Sequence, residues 1–276
     1  MNLEKELGKK RQLMIIKKVE FGVYLGTEED KVLLPKKQVP SGLEVGDPIE
    51  VFLYRDSKDR LIATTNMPKI FLGELAVLSV ADTGKVGAFL DWGLEKDLLL
   101  PFKEQTVKVK KGDQVLVSLY VDKTGRLCAT MKVYDKLSKD HSYKKDDEVE
   151  GIVYETSDNY GAFVAVDDRY SALIPKREMA GKLRVGDRVK ARVTAVKEDG
   201  KIDLSIRKKA FLQMEDDSEM ILRRLREAGG ELPYGDKTDA EVIKKEFGIS
   251  KNAFKRAIGR LLKEKKIRIE EDGIRL

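Results

Sequence analysis

The chain has 276 residues, 41% of them hydrophobic and 37% charged, so it can bury several cores, and disorder of the whole chain is excluded. Its 54 lysines and arginines against 48 acidic residues give a formal charge of +6, which favours a polyanionic partner. One cysteine and one histidine exclude an internal disulfide and a Cys/His zinc cluster. No export segment or membrane partner is predicted, and we expect a cytoplasmic protein.

The sequence contains three copies of one unit. Gly22, Gly87 and Gly161 each begin a short segment with an aromatic residue in its third position, and they are separated by 65 and 74 positions. A Leu-Pro or Ile-Pro pair, a Gly-Asp pair and a closing apolar segment follow each glycine in the same order. Four markers that keep their order and spacing indicate a structural repeat.

Each copy is predicted to contain about five strands, because its segments are short, β-branched or aromatic, and interrupted by glycine, aspartate or proline. In the first copy the strands are predicted at 12–16, 22–25, 31–34, 49–53 and 61–64. Five such strands favour a small barrel, in which the glycine before the aromatic residue lets the strand bend sharply.

The third copy contains Gly161-Ala162-Phe163, Gly186-Asp187 and Asp199-Gly200-Lys201 and resembles the S1 domain, an RNA-binding form of the oligonucleotide-binding (OB) fold. The resemblance implies stacking of unpaired RNA bases on exposed rings beside cations. The rings at matching positions are Phe21, Tyr24, Phe89, Tyr160 and Phe163, and the cations are Arg126 and Lys201, with Arg60 as the equivalent in the first copy. Trp92 is predicted to extend this surface.

Other interpretations of these residues stay open. One ring of each pair could belong to a barrel core, since residues three apart on a regular strand face opposite sides. The cations could be a solvated rim. We expect Cys128 inside a barrel and His141 in a linker, neither with a chemical role.

After residue 209 the hydrophobic period changes from two to about 3.6, which predicts helices. The first has Phe211 on its apolar face and ends before Gly229-Gly230, the second runs from Asp239 to Gly248, and the third follows Ser250 with Leu262 among its apolar residues. A hairpin around Asp272-Gly273 closes the chain. Three helices and a hairpin resemble the winged-helix domain, in which the third helix recognises nucleic acid.

Positive charge is concentrated in two places. Residues 176–209 hold twelve lysines and arginines against five acids, and residues 251–266 hold seven against one. We expect the third barrel and the third helix to form the main RNA surface. The cations assigned to it are Arg188, Lys190, Arg192, Lys251, Lys255, Arg256 and Arg260. Three carboxylates, Glu270, Glu271 and Asp272, lie at the hairpin tip and disfavour contact between this wing and a phosphate backbone.

The predicted fold is multidomain and mainly β. Three S1-like OB-fold five-stranded barrels at 1–69, 70–134 and 147–210, with a linker at 135–146 that lets the parts move, precede an α+β winged-helix domain at 211–276. This architecture resembles the bacterial conserved virulence factor B family of S1 RNA-binding proteins. The resemblance implies regulation of gene expression, including virulence genes in pathogens.

No phosphate-binding loop, nucleophile and base pair, or metal-ligand spacing occurs in the sequence. We therefore expect a non-enzymatic protein without cofactor or metal that binds single-stranded RNA. Two alternatives remain, a winged-helix regulator that binds duplex DNA and an adaptor that binds the ribosome or RNA polymerase.

Overall fold

Each copy of the repeat folds into five strands that follow its alternation of apolar and polar residues. A computed structural model of the chain describes residues 2–179, 181–207 and 210–276, except for the side chains of 210–213. These residues form two units, 1–206 and 207–276. The first unit contains three barrels and the second a helical domain with a small sheet.

Barrel 1 is a closed sheet with the strand order β1-β2-β3-β5-β4. Its strands are β1 (Lys10–Val19), β2 (Gly22–Gly26), β3 (Lys31–Pro35), β4 (Pro48–Arg55) and β5 (Leu61–Thr64). Only β3 and β5 pair in parallel, and alternate residues such as Leu13, Ile15, Val23 and Leu25 fill the interior. The strands predicted for this copy agree with these bounds to within a few residues.

Barrels 2 and 3 repeat this arrangement. Barrel 2 consists of β6 (Leu75–Thr83), β7 (Gly87–Asp91), β8 (Leu98–Pro101), β9 (Gln114–Val121) and β10 (Leu127–Thr130). Its sheet has the order β10-β9-β6-β7-β8. Barrel 3 consists of β11 (Glu148–Ser157), β12 (Gly161–Val166), β13 (Tyr170–Pro175), β14 (Arg188–Val196) and β15 (Ile202–Ser205), and it is closed. The prediction of three five-stranded barrels is confirmed.

The repeated glycine marks a close backbone crossing in every barrel. Gly22, Gly87 and Gly161 have φ angles of 155°, 157° and 122°. A β-carbon on any of them would lie 2.1 or 2.2 Å from a carbonyl oxygen of the next strand, which no side chain tolerates. Glycine is therefore required here by contact as well as by conformation.

Barrels 1 and 2 meet through the outer face of β4. The Phe52 side chain points away from its own barrel, is fully buried, and joins the core of barrel 2. Its ring lies edge-on to Phe71 and Trp92, with centroids 5.8 Å apart in both pairs. Burial of these three rings makes the two barrels one packed body.

Barrels 2 and 3 meet through a second apolar cluster. Leu116 on the outer face of β9 packs with Ile152 and Tyr154 of β11. The segment between the barrels joins this cluster through Val133 and Leu137. Residues 135–146, which the sequence predicts to be a linker that permits movement, are thus in contact with the barrels in the structure, because Leu137 is buried in this cluster.

The single histidine lies in this packed segment. A ring nitrogen of His141, Nε2, lies 2.8 Å from the Gly200 carbonyl oxygen, and the other accepts the Tyr143 N–H at 3.2 Å. Tyr143 in turn hydrogen-bonds Asp167 on barrel 3, and this bond is the largest cause raising the pKa of Tyr143 to about 12. These contacts fix the segment to barrel 3.

The second unit has the predicted helices and hairpin. Its elements are α1 (Ala210–Glu227), β16 (Glu231–Leu232), α2 (Ala240–Phe247), α3 (Lys251–Lys263), β17 (Arg268–Ile269) and β18 (Ile274–Arg275). The Asp239 and Ser250 side chains cap α2 and α3, as expected for N-cap residues. The strand β16 was not predicted. Leu262, predicted on the apolar face of α3, is exposed, whereas its neighbour Leu261 is buried in the core. Phe211, Lys208 and Lys209 lie outside the described residues or side chains. No described helix is long and apolar enough to span a membrane.

Replacing Gly161 by Ala should destabilise barrel 3 by about 4 kcal/mol or more, because the added carbon overlaps a backbone oxygen. Gly181 is the matched control, since its φ is also positive at 91° but open space surrounds it, so Gly181→Ala should cost about 1 to 2 kcal/mol. Hydrogen exchange of the β12 and β13 amides measures both. Equal costs would contradict the contact explanation.

Replacing Phe52 by Ala should cost about 3 to 5 kcal/mol, because it opens a cavity between barrels 1 and 2. The emission of Trp92 should shift to the red as water reaches its ring, which urea titration followed by fluorescence measures. Phe21 is an exposed ring of the same barrel, and Phe21→Ala should change stability by less than about 0.5 kcal/mol.

Candidate nucleic-acid interface

The residue before each repeated glycine projects into solvent. The Phe21 and Tyr160 carbonyl oxygens each accept an N–H from the residue after the proline of the next strand, Lys36 and Lys176, at 3.0 Å. This bond fixes the backbone of the loop to the end of the next strand, and the two rings are 58% and 65% exposed. The crossing thus places an aromatic ring beside a lysine in barrels 1 and 3.

In barrel 2 the exposed ring belongs to the residue that donates the equivalent hydrogen bond, and not to the residue that accepts it. Val86 occupies the position of Phe21, and the Phe102 N–H bonds to its carbonyl oxygen at 3.4 Å. Phe102 is 55% exposed and stands where Lys36 and Lys176 stand in the other barrels. The sequence prediction missed Phe102, although an alignment on the preceding Leu-Pro or Ile-Pro pair would have found it.

The ring two residues after each repeated glycine lies on the outer face of the second strand. Tyr24, Phe89 and Phe163 alternate with core residues along β2, β7 and β12 and are half-buried. The Lys31 ammonium lies 5.5 Å from the centre of the Tyr24 ring, a cation–π distance. The outward ring is therefore partly accessible in each barrel, and the alternative that it fills its own barrel's core is excluded.

Barrel 3 carries an additional exposed ring from the segment before it. Tyr134 is 43% exposed and lies edge-on to Phe163 with centroids 6.2 Å apart. The Lys201 ammonium hydrogen-bonds Asp199 and Tyr134, and these two bonds raise its pKa. Tyr134 had no local sequence pattern to reveal it, since only the packing of the segment brings it to Phe163.

Trp92 does not belong to this surface, and the prediction that it extends the binding face is wrong. It is 3% exposed and lies in the apolar cluster that joins barrels 1 and 2. Its indole N–H donates to the Lys96 carbonyl oxygen at 2.6 Å. A partner ring from another barrel, Phe52, accounts for its burial.

The predicted cations of β14 are each paired with a carboxylate. Arg188 pairs with Asp168 at 3.1 Å, Lys190 with Glu150 at 2.8 Å and Arg192 with Asp146 at 3.0 Å. In the sheet order β14 is not a neighbour of β12. These three cations, predicted to share an RNA surface with Tyr160 and Phe163, thus lie on a strand that does not adjoin the strand of Phe163.

The basic position of the last turn is ion-paired in every barrel. Arg60 pairs with Asp56 at 2.7 Å, and Lys201 pairs with Asp199 at 2.8 Å. Arg126 of barrel 2 pairs instead with Asp59 of barrel 1, and this hydrogen bond raises the pKa of the Arg126 guanidinium. All three pairs are exposed, and pairs of this kind contribute about 0 to 1 kcal/mol, so a phosphate can compete for these cations.

Cations without an ion pair among the described residues follow the third strand of barrels 1 and 2. A short 3₁₀ helix begins after the proline and carries Lys36 and Lys37 in barrel 1 and Lys103 in barrel 2. These three side chains form no ion pair within the part of the chain that the structure describes. They lie next to Phe21 and Phe102 in the structure and could neutralise phosphates of a strand whose bases stack there.

In the second unit, the predicted cations of α3 divide into two groups. Lys255 and Arg256 are exposed and make no ion pair among the described residues, and the Lys251 ammonium reaches only the Lys237 carbonyl oxygen at 3.5 Å. Arg260 instead binds Glu264 and Glu215 at 2.8 and 3.0 Å. Arg260, assigned to nucleic acid from the sequence, is thus engaged in ion pairs, one of which joins α3 to α1.

The hairpin tip carries the carboxylates that its sequence predicts to disfavour phosphate. Arg275 on β18 pairs with two of them, Glu270 and Asp272, and with Glu231. Arg268 on β17 is exposed and makes no ion pair among the described residues. Accessible positive charge in this unit therefore lies on the wing as well as on α3.

No group of three or more His, Cys, Asp or Glu side chains is placed to hold a metal ion among residues 2–179, 181–207 and 210–276. Cys128 is buried in barrel 2, and burial raises the pKa of its thiol to about 11. Such a thiol is unreactive at neutral pH.

Comparison with known families agrees with this architecture. The family model for the S1 domain matches residues 7–66 and 72–132, the model for the S1 RNA binding domain matches 142–207, and the model for a CvfB-like winged helix domain matches 219–276. These are nucleic-acid-binding families and not enzyme families. The chain is thus a nucleic-acid-binding protein with S1 domains.

Full-length relatives share the whole arrangement. The chain is 35% identical over 275 residues to the Bacillus subtilis protein YitL, covering 96% of this chain and 92% of that protein. It is 31% identical over 290 residues to the Staphylococcus aureus protein named conserved virulence factor B, covering 100% of this chain and 96% of the relative. A crystal structure of a Streptococcus pneumoniae multidomain protein with nucleic acid binding domains matches with a TM-score of 0.55 and 27% identity over 99% of each chain. The chain therefore belongs to the conserved virulence factor B family.

Proposed function

We propose that this protein binds single-stranded RNA by stacking unpaired bases on the exposed rings of its three barrels, and that it regulates gene expression through the RNA it holds. One observation carries the proposal. The exposed aromatic side chains of the described residues are Phe21, Phe102, Tyr134 and Tyr160. Each lies at the glycine crossing of a barrel or against Phe163.

Exposed rings at one recurring position need an explanation, because large apolar side chains are normally buried. A nucleobase supplies it, since stacking removes both faces from water and contributes about 1 to 3 kcal/mol for each base. The adjoining lysines fit a phosphate backbone. A duplex hides the faces of its bases, so rings of this kind favour single strands.

The family and the chemistry together support the regulatory part of the proposal. The Staphylococcus aureus relative is named a virulence factor, and RNA binding is a direct route by which a non-enzymatic cytoplasmic protein changes expression. We extend this role to the present chain as part of the proposal. Duplex DNA binding through α3 and adaptor binding to the ribosome or polymerase are the outcomes against which it is tested.

Replacing Tyr160 by Ala should weaken binding of a 20-nucleotide oligouridylate about 5- to 100-fold, because one stacking platform is lost. Tyr160→Phe keeps the ring and should retain the affinity. Val196→Ala removes another exposed apolar side chain of barrel 3 and should have no effect. Fluorescence anisotropy measures all three variants. Unchanged affinity of Tyr160→Ala would favour the adaptor, in which the rings are idle.

Reversing Lys255 and Arg256 to Glu should weaken RNA binding and flatten its salt dependence. The slope of log K against log salt should fall by about 0.7 for each lost phosphate contact. Arg223→Glu with Arg226→Glu changes two exposed cations of α1 and serves as the charge-matched control. Loss of duplex DNA binding with RNA binding intact would instead support the DNA regulator.

A further inference from the structure

A cleft of about 470 Å³ lies between barrels 1 and 2, a volume in the range of small-molecule sites. Barrel 1 lines it with Tyr54 and with the turn between β4 and β5, and barrel 2 lines it with the outer surfaces of β7, β8 and β10. The cleft therefore exists only because the two barrels pack together.

Each barrel contributes one half-buried ring to this cleft. Tyr54 comes from barrel 1 and Phe89 from barrel 2, and both side chains are half-buried. Leu99 and Leu127 complete an apolar lining. An aromatic and aliphatic surface of this kind fits a flat heterocycle.

Cations lie at the rim of the same cleft. Lys58, Lys96 and Arg126 line it, and Lys58 forms no ion pair within the described ranges. The fourth cation, Arg55, is committed to structure, because its three nitrogens bind Glu4, the Asp59 carbonyl oxygen and the Gly125 carbonyl oxygen at 2.6 to 2.9 Å. Apolar walls below a cationic rim match a base with its phosphate.

The residue that pairs with Arg126 has an unusual conformation. Asp59 has a φ of 61°, and the residues that make the same turn hydrogen bond in barrels 2 and 3 are Gly125 and Gly200, with φ of 76° and 78°. Barrel 1 therefore keeps an aspartate where its two sister barrels use glycine. Strained residues of this kind cluster at ligand clamps.

The Asp59 carboxylate binds a cation of the neighbouring barrel. It reaches across the junction and binds Arg126 through both Nε and Nη2. A carboxylate held by two guanidinium nitrogens is an anion in the place that a phosphate would take. The pair is exposed, so exchange of one anion for another needs no opening of the barrels.

We propose that barrels 1 and 2 jointly hold one nucleotide of a single-stranded RNA in this cleft, with its base against Tyr54 and Phe89 and its phosphate displacing Asp59 from Arg126. The inference rests on the proposed function and adds to it a composite site that neither barrel has alone. Asp59 then acts as a competing anion that lowers the affinity of the site.

The single tryptophan provides a local probe. Trp92 lines the cleft and its N–H is bonded to the Lys96 carbonyl oxygen, so a ligand on this rim should change its emission. The full chain is titrated with the trinucleotide UUU, with excitation at the red edge of the indole band and free tryptophan as a filter control. A saturable change in emission is expected.

Variants then test the roles of the individual residues. Asp59→Asn and Asp59→Gly both remove the competing charge at a position where Asn and Gly tolerate the backbone, and both should tighten binding about two- to fivefold. Phe89→Leu should weaken it about fivefold or more. Glu28→Gln removes an exposed carboxylate of barrel 1 outside the cleft and should leave the constant unchanged. Thermal melts check that each variant folds.

The outcomes separate this inference from the proposed function. An unchanged Trp92 emission while a 20-nucleotide oligouridylate binds would overturn the composite site and leave RNA binding in place. Absence of binding by both RNAs would overturn both. Uridine monophosphate that binds as tightly as UUU would overturn the assignment to RNA, and weaker binding by Asp59→Asn would overturn the competing role of Asp59.

Discussion

The backbone crossing at the start of the second strand is the constraint on which the candidate interface depends. A carbonyl oxygen of the third strand lies where a β-carbon would be, so only glycine fits at 22, 87 and 161. The preceding residue is then held by a backbone hydrogen bond and cannot fold into the barrel. The crossing makes this position an outward projection whatever side chain it carries, which is why Val86 is as exposed as Phe21 and Tyr160.

The outer face of the fourth strand differs among the three barrels in whether another barrel packs against it. Counted from the pairing with the first strand, Phe52, Ser118 and Arg192 occupy the same position. The first two are fully buried at barrel junctions, whereas Arg192 is paired with Asp146. Burying such a pair against another barrel would cost desolvation energy without an apolar gain. A further barrel would therefore gain no apolar contact at this position of barrel 3.

Local patterns were enough to predict the elements but not the partners of individual side chains. Strand and helix bounds follow from periodicity, glycine and capping residues, as Asp239 and Ser250 illustrate. Trp92 and Arg260 were assigned to the interface because their residue types suit nucleic acid. Phe52 and Glu215, which engage them, are 40 and 45 positions away in sequence, and no local pattern encodes a contact at that distance. Tyr134 shows the opposite error, because it was not assigned to the interface and only the packing of the chain brings it to Phe163.

The packed junctions change what repetition of the barrels achieves. In a flexible array the second contact is limited by the effective concentration that a linker allows. Here the cluster around Phe52 and the cluster around Leu116 hold the barrels in one body, so the entropy of arranging the rings is lost during folding rather than during binding. A fixed row of platforms benefits only a ligand that can adjust its own path, and a single strand has rotatable backbone bonds that permit this. A duplex is too stiff to bend between platforms and offers no free base faces, so rigidity of the protein selects for flexibility in the nucleic acid.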